Sequence, residues 1–160
     1  MNDKKALLPK NRWTLLAVGL AVCLVGAMGF FKIRMIYWDN EVDKMCAVDG
    51  GVKIYATVAV TPDELSVFGD MRPPSKRNLK PNDKFYVEAS RTYLRNGYPE
   101  VWRSHFALVR RSDEKVLGES IDYSRVGGDF PGPWHPSSYS CSFETDISEI
   151  NKKVFIGLQK

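Results

Sequence analysis

Residues Trp13–Phe31, WTLLAVGLAVCLVGAMGFF, run for nineteen positions without a charged side chain. At about 1.5 Å per residue, a helix of that length crosses a hydrocarbon core of about 30 Å. A backbone in lipid has no water to bond, so a continuous apolar run of this kind must be helical. The run predicts a transmembrane helix over 13–31, and that helix would decide the compartment of everything after it. Trp13 opens the run, and Tyr37 and Trp38 follow it. Aromatic rings of this kind collect at the headgroup level, and Lys32 and Arg34 can snorkel toward it.

The flanks give a direction. A basic head over residues 1–12 carries Lys4, Lys5, Lys10 and Arg12 against the single acid Asp3. Fewer cations follow the span, which predicts a cytoplasmic N-terminus and a domain beyond the membrane. In a bacterium this is a single-pass inner-membrane protein with a periplasmic C-terminal domain. Three other readings compete: a cleaved signal peptide, with Ala27-Met28-Gly29 as a loose cleavage site; a lipoprotein cysteine at Cys23; and the core helix of a soluble protein. The apolar run continues through Phe30 and Phe31, which argues against cleavage. Gly19, Cys23 and Ala27 recur every four residues and share one helix face. That face allows self-association or docking of a second helix.

The formal charge of +4 is uneven, with +3 in residues 1–12 and +1 in residues 32–160. A nearly neutral exterior part is a poor partner for nucleic acid. Residues 32–48 read as a juxtamembrane stalk, with the helix extending to about Met45. Residues 49–160 are one ordinary domain in length.

Of the three cysteines, Cys23 lies in the span, while Cys46 and Cys141 bracket the domain. In an oxidising compartment the last two are a natural disulfide pair. The competing reading is a metal site built on Cys46, Cys141 and His135, but no C-x-x-C or H-x-x-x-H spacing accompanies it. No metal, catalytic residue or cofactor is assigned.

Within the domain, Ile54, Ala56, Val58 and Val60 alternate with Lys53, Tyr55, Thr57 and Ala59, the period of one half-buried strand. Thr61-Pro62-Asp63-Glu64 has the form of a capping box, and Gly69 would stop a helix of two turns whose Leu65 and Phe68 face the core. Residues 70–83 form an exposed loop carrying Arg72, Lys76, Arg77 and Lys80. Phe85, Val87, Ala89 and Tyr93 share one face of a second strand, and Asn96-Gly97 is a hairpin signal. Trp102, Phe106 and Leu108 share a face of a third strand, about Glu100–Arg110. Ser112–Lys115 turns the chain into a fourth, marked by Leu117, Ile121 and Tyr123. Residues 127–140 are a long irregular loop. Thr145 would cap a short helix with Ile147, Ile150 and Val154 at helical spacing and Lys152 and Lys153 in its last turn. The fold class is α+β: a transmembrane helix, then a small domain with a four-stranded antiparallel sheet and one or two short helices.

No pattern marks a reaction centre. Ser104 and His105 are adjacent in a strand and point to opposite faces, so they form no dyad. Asp49-Gly50-Gly51-Val52-Lys53 lacks phosphate-loop spacing. Asp113, Glu114, Glu119 and Asp122 scatter around a hairpin. The most unusual string is Trp134-His135-Pro136-Ser137-Ser138-Tyr139-Ser140-Cys141, in which Trp134, His135 and Tyr139 could form an interaction loop. This string, with Cys46-Ala47-Val48-Asp49-Gly50-Gly51-Val52-Lys53-Ile54-Tyr55, resembles a loose group of small proteobacterial envelope proteins. The resemblance implies an anchor followed by a compact domain, and carries no activity with it.

These readings lead to a membrane-anchored, non-enzymatic interaction or accessory protein that binds or stabilises another envelope component. Alternatives are an immunity or inhibitor protein against an envelope-acting toxin, a metal-dependent binder or enzyme centred on His135 and Cys141, and a purely structural envelope role.

Overall fold

The structure, a computed structural model, describes residues 10–61, 64–66, 70–133, 135–141 and 147–157. Its first element is one unbroken helix, α1 (Lys10–Asp49), of 40 residues, about 60 Å long. No proline stands between Pro9 and Pro62, so nothing in the sequence interrupts it. It ends at Gly50-Gly51, where Gly51 takes φ +105°, a backbone that a side chain would strain.

The helix has two halves of different character. Its most apolar eighteen-residue stretch buries none of its residues in the structure. Residues 32–48, read as a stalk, continue the same helix and lie against the sheet, with Val42 fully buried. Positions 27, 31, 34, 38, 42, 45 and 49 are shielded while the residues between them are mostly exposed. That is the stripe a helix makes when it packs on one side only.

Among the described residues seven strands follow: β1 (Gly51–Ile54), β2 (Val58–Val60), β3 (Phe85–Arg95), β4 (Glu100–Arg110), β5 (Lys115–Val126), β6 (Ser138–Ser140) and β7 (Phe155–Gly157). A second helix, α2 (Ile147–Val154), precedes β7. The main sheet has the order β1-β5-β4-β3, and every named pair in it is antiparallel. β1 pairs with residues 118–121 in the middle of β5, and β6 pairs with its last three residues. β2 and β7 form a separate parallel pair.

Each face of the main sheet carries its own core. On one side α2 and the β2–β7 pair cover Phe85, Leu108 and Leu117, joined by Ile150, Val154 and Phe155. On the other, α1 covers Val101, Ile121 and Tyr123 through Val42, Trp38 and Met45. A smaller cluster of Tyr86, Ala107 and Val109 packs under Leu79.

The α+β class and the mainly antiparallel sheet agree with the sequence. Four details differ. The single strand over 54–60 is two short strands in two sheets: the amides of Tyr55 and Ala56 both donate to the Leu117 carbonyl (2.8 and 3.0 Å), which bends the chain out of the main sheet. The side-chain alternation survives the break, since Ile54, Ala56, Val58 and Val60 all reach the first core. β6 enlarges the main sheet to five strands. The Asn96-Gly97 turn is a four-residue loop ending in a cis Tyr98–Pro99 peptide, with Gly97 at φ +126°. A register shift between Leu108 and Val109 places Leu117 in the first core, while Ile121 and Tyr123 face α1.

At 61–69, Pro62, Asp63, Phe68 and Gly69 lie outside the described residues. The Thr61 amide donates to the Glu64 carboxylate (3.1 Å), which is one half of the expected capping box, and Leu65 packs on the first core. α2 spans the predicted Ile147, Ile150 and Val154; Thr145 lies outside the described residues.

Candidate interaction surfaces

The joint between α1 and the sheet is held by hydrogen bonds, ion pairs and a disulfide. In β5, Ile121, Tyr123 and Arg125 alternate toward α1, so a guanidinium lands on a buried face. Arg125 is 1% exposed. Its Nε donates to Asp39 Oδ1 (2.6 Å), and its Nη1 donates to the Gly127 carbonyl and to Ser137 Oγ (3.2 Å). A charge buried this deeply is tolerable only when paired and hydrogen-bonded. One helical turn on, Tyr139 Oη donates to Asp43 (2.9 Å). At the helix end Asp49 accepts from Tyr123 Oη (2.8 Å) and from Arg103 (3.3 Å). Between these contacts, Cys46 and Cys141 form the disulfide, with Cα atoms 5.8 Å apart.

The ionisable groups here serve the joint. The Tyr123 hydroxyl, then Arg103, hold the Asp49 carboxyl below its ordinary value despite some desolvation. Burial, then the hydrogen bond to Asp49, pushes the Tyr123 phenol up. The hydrogen bond to Asp43 raises Tyr139. Beyond the end of α1, Glu119 accepts from Tyr55 and sits 3.1 Å from His105 Nε2, with Lys53 at 3.9 Å. Tyr55, then His105 and Lys53, lower its pKa against desolvation. His105 is thus a partnered strand residue. Among the described residues no group of three His, Cys, Asp or Glu is placed to hold a metal ion.

The sequence-predicted residues are distributed as follows. Cys46 and Cys141 meet. Tyr139 lies in β6, and its hydroxyl donates to Asp43 of the helix. His135 is exposed, and Trp134 lies outside the described residues. With Cys141 bonded to Cys46, His135 has no thiolate beside it for a metal or nucleophilic centre. Gly19 and Cys23 are exposed, and Ala27 is partly shielded; their face continues through Phe31 and Trp38 into the docked stripe.

A second surface was not legible in the sequence. β3 is an edge of the main sheet, and Glu88–Leu94 are exposed. The Val87 amide donates away from β4, to the Pro74 carbonyl (2.8 Å), and Ser75 bridges Val87 in parallel. By the two-residue period of a strand, Ala89, Arg91 and Tyr93 also turn their backbone groups outward. Among the described residues no strand pairs with them there. Beside this edge lies a groove of about 450 Å³, floored by Val87, Ala89, Phe106 and Ile147 and rimmed by Arg72 and Lys152. Asn151 Oδ1, also at this groove, is buried without a hydrogen-bond partner. The opposite edge is different, because β1 and β6 between them cover most of β5.

Compared with family models, curated proteins and solved structures, the chain matches none.

Proposed function

We propose that this chain is a single-pass envelope protein, held in the bacterial inner membrane by the first half of α1, whose periplasmic domain binds an extended segment of another envelope protein along β3. The observation that carries this reading is the division of one helix. Its first half is apolar with none of its most apolar stretch buried, and its second half is tied to the domain by a disulfide and a buried ion pair. Such a helix holds a domain at a fixed height and orientation. The basic head and the disulfide support a cytoplasmic N-terminus and an oxidising exterior. The continuity of the helix through Ala27-Met28-Gly29 supports the anchor over a cleaved signal.

Strand addition suits the free edge. Main-chain bonds to the outward amides of Ala89, Arg91 and Tyr93 would give affinity, and the groove would accept alternate side chains. Pro74 and Ser75 already occupy the start of the edge, so a partner strand would continue where they leave it. Arg72 and Lys152 at the rim are already paired with Asp70 and Glu149, so the apolar floor favours a segment with apolar side chains.

The test places a photo-crosslinking amino acid at Arg91 in the full chain in its membrane. The reading expects an adduct with a defined extended segment of one protein, lost in Ala89→Pro, which removes an outward donor and leaves the β4 pairing intact. An adduct unchanged by Ala89→Pro would refute strand addition. Extraction of the intact chain by alkaline carbonate would refute the anchor.

A further inference from the structure

We infer that the end of the domain nearest the span, the Gly127–Pro133 loop with Phe130 and the Asn96–Pro99 loop with Tyr98, is a lipid-binding surface lying in the headgroup layer of the bilayer that holds α1. The inference rests on the anchoring proposed above and adds a second site of contact.

The level of these loops follows from the helix. Nineteen uncharged residues at about 1.5 Å each fill a hydrocarbon core of about 30 Å, so the run ends at the core boundary with Phe31. The Phe130 ring stands edge-on to Phe31 with centroids 5.4 Å apart. One turn further along, Arg34 donates to the Tyr98 carbonyl. Both loops therefore sit within about one helical turn, 5.4 Å, of the hydrocarbon edge. The headgroup region on each side is of that order of thickness or more. The domain cannot stand clear of the membrane while Phe130 touches Phe31.

The chemistry of the surface fits that layer. Phe130 is 39% exposed, Tyr98 37% and Leu94 49%, and Pro131, Gly132 and Pro133 are also exposed. Lys32 and Arg34 bring cations to the same level, suited to lipid phosphates. Arg95 stands higher along the helix, stacked over Trp38, 4.9 Å from the ring centroid. The one acid in the loop, Asp129, is bonded by Tyr98 Oη (2.8 Å) and the Ser137 amide (3.1 Å). The loop is braced as well: Arg125 holds the Gly127 carbonyl, and the Gly127 amide donates to Ser137 (2.8 Å). Gly127 has φ +80°, and a Cβ there would run into the Tyr98 ring. The surface is thus a preformed wedge that enters the interface without ordering cost.

The test uses the full chain reconstituted in phosphatidylcholine–phosphatidylglycerol vesicles. A bimane label is placed at Phe130→Cys, and separately at Pro131→Cys, in a Cys23→Ser background, with Ser112→Cys at the far hairpin as reference. Nitroxide lipids carry the quencher at the headgroup or deep in the chain. The inference expects quenching at 130 and 131 by the shallow nitroxide, weaker quenching by the deep one, and no loss of fluorescence at 112. Unquenched labels at both 130 and 131, with Cys23 of the unmodified chain protected from a water-soluble maleimide, would overturn the surface and leave the anchor standing. Free reaction of Cys23 in vesicles would overturn the anchor and this inference with it.

Discussion

Asp39→Ala isolates the ion pair at the centre of the joint. The Arg125 side chain is 2% exposed and that of Asp39 21%, so water replaces little of what the carboxylate supplies. Removing one partner of a buried pair costs about 3–5 kcal/mol, because the other charge stays buried and uncompensated. Arg125 keeps the Gly127 carbonyl and Ser137 Oγ, which places the cost near the lower end, about 3 kcal/mol. With a urea m-value of about 2 kcal/mol/M for a domain this size, the unfolding midpoint falls by about 1.5 M. The assay is urea titration of the full, oxidised chain in nonionic detergent, followed by tryptophan fluorescence; Trp38 lies in the joint itself. The paired change Asp39→Leu with Arg125→Met removes both charges and should recover most of the loss, as apolar replacement of a whole buried pair commonly does. A loss under about 1 kcal/mol in Asp39→Ala would show that the pair is solvated and that the joint does not depend on it. A double variant no better than the single would refute the electrostatic account.

The disulfide and the carboxylates of the joint give two further expectations. Cys46 and Cys141 are 95 residues apart, so replacing both by Ser should cost about 4–5 kcal/mol on the chain-entropy account; a mass measurement of unreduced protein extracted under denaturing alkylation that finds all three cysteines alkylated would refute the bridge. The pKa values of Asp49 and Glu119 are lowered on folding, so their stabilisation is fully present above the ordinary carboxylate values and is lost as pH falls through the lowered folded ones. Stability measured from neutral pH downward should therefore decline on the acid side of pH 4, less steeply in Asp49→Asn; an identical profile in that variant would refute the assignment.

Much of the fold could be read from alternation. Phe85, Val87 and Ala89 share a face with Trp102, Phe106 and Leu108, as their spacing requires, because a strand has only two faces. The alternation failed where the ladder slips. Leu117, Ile121 and Tyr123 mark one strand, yet one extra residue opposite Val109 sets Leu117 on the other side of the sheet from Ile121 and Tyr123. The break at Tyr55 was hidden for a related reason: a carbonyl that accepts two amides leaves the side-chain pattern intact. The joint had a signal that pattern-reading did not use. Arg125 follows Ile121 and Tyr123 on a face that must be buried, and Asp39 and Asp43 lie on the helix face of Val42 and Cys46. A cation and acids on two apolar faces imply each other. Tyr139 carried no such signal, since an aromatic in a loop suits a core, a clamp or a contact equally. The openness of β3 is a property of strand order, which no local pattern in its own residues encodes.

Strand order and anchoring together limit what can pair with β3. Along α1, Phe31 meets Phe130, Arg34 meets Tyr98, Trp38 meets Arg95 and Asp49 meets Arg103. The helix and β4 therefore advance in the same sense, away from the span, and β3, antiparallel to β4, runs back toward it. Two copies anchored in one membrane with the same orientation are related by rotation about the membrane normal. Such a rotation leaves the direction of each strand along that normal unchanged. Two β3 edges could then meet only in parallel, and the self-complementary antiparallel ladder that two identical edges form about a two-fold axis is out of reach. Self-association through the Gly19, Cys23 and Ala27 face is not limited in this way, because helices packed there stay parallel. The free edge of β3 is thus open to a different chain and closed, by geometry, to the antiparallel ladder with a second copy of its own. A long edge left unpaired in a crowded membrane would otherwise be an aggregation hazard, and the anchor that holds the domain upright is also what removes its most available wrong partner.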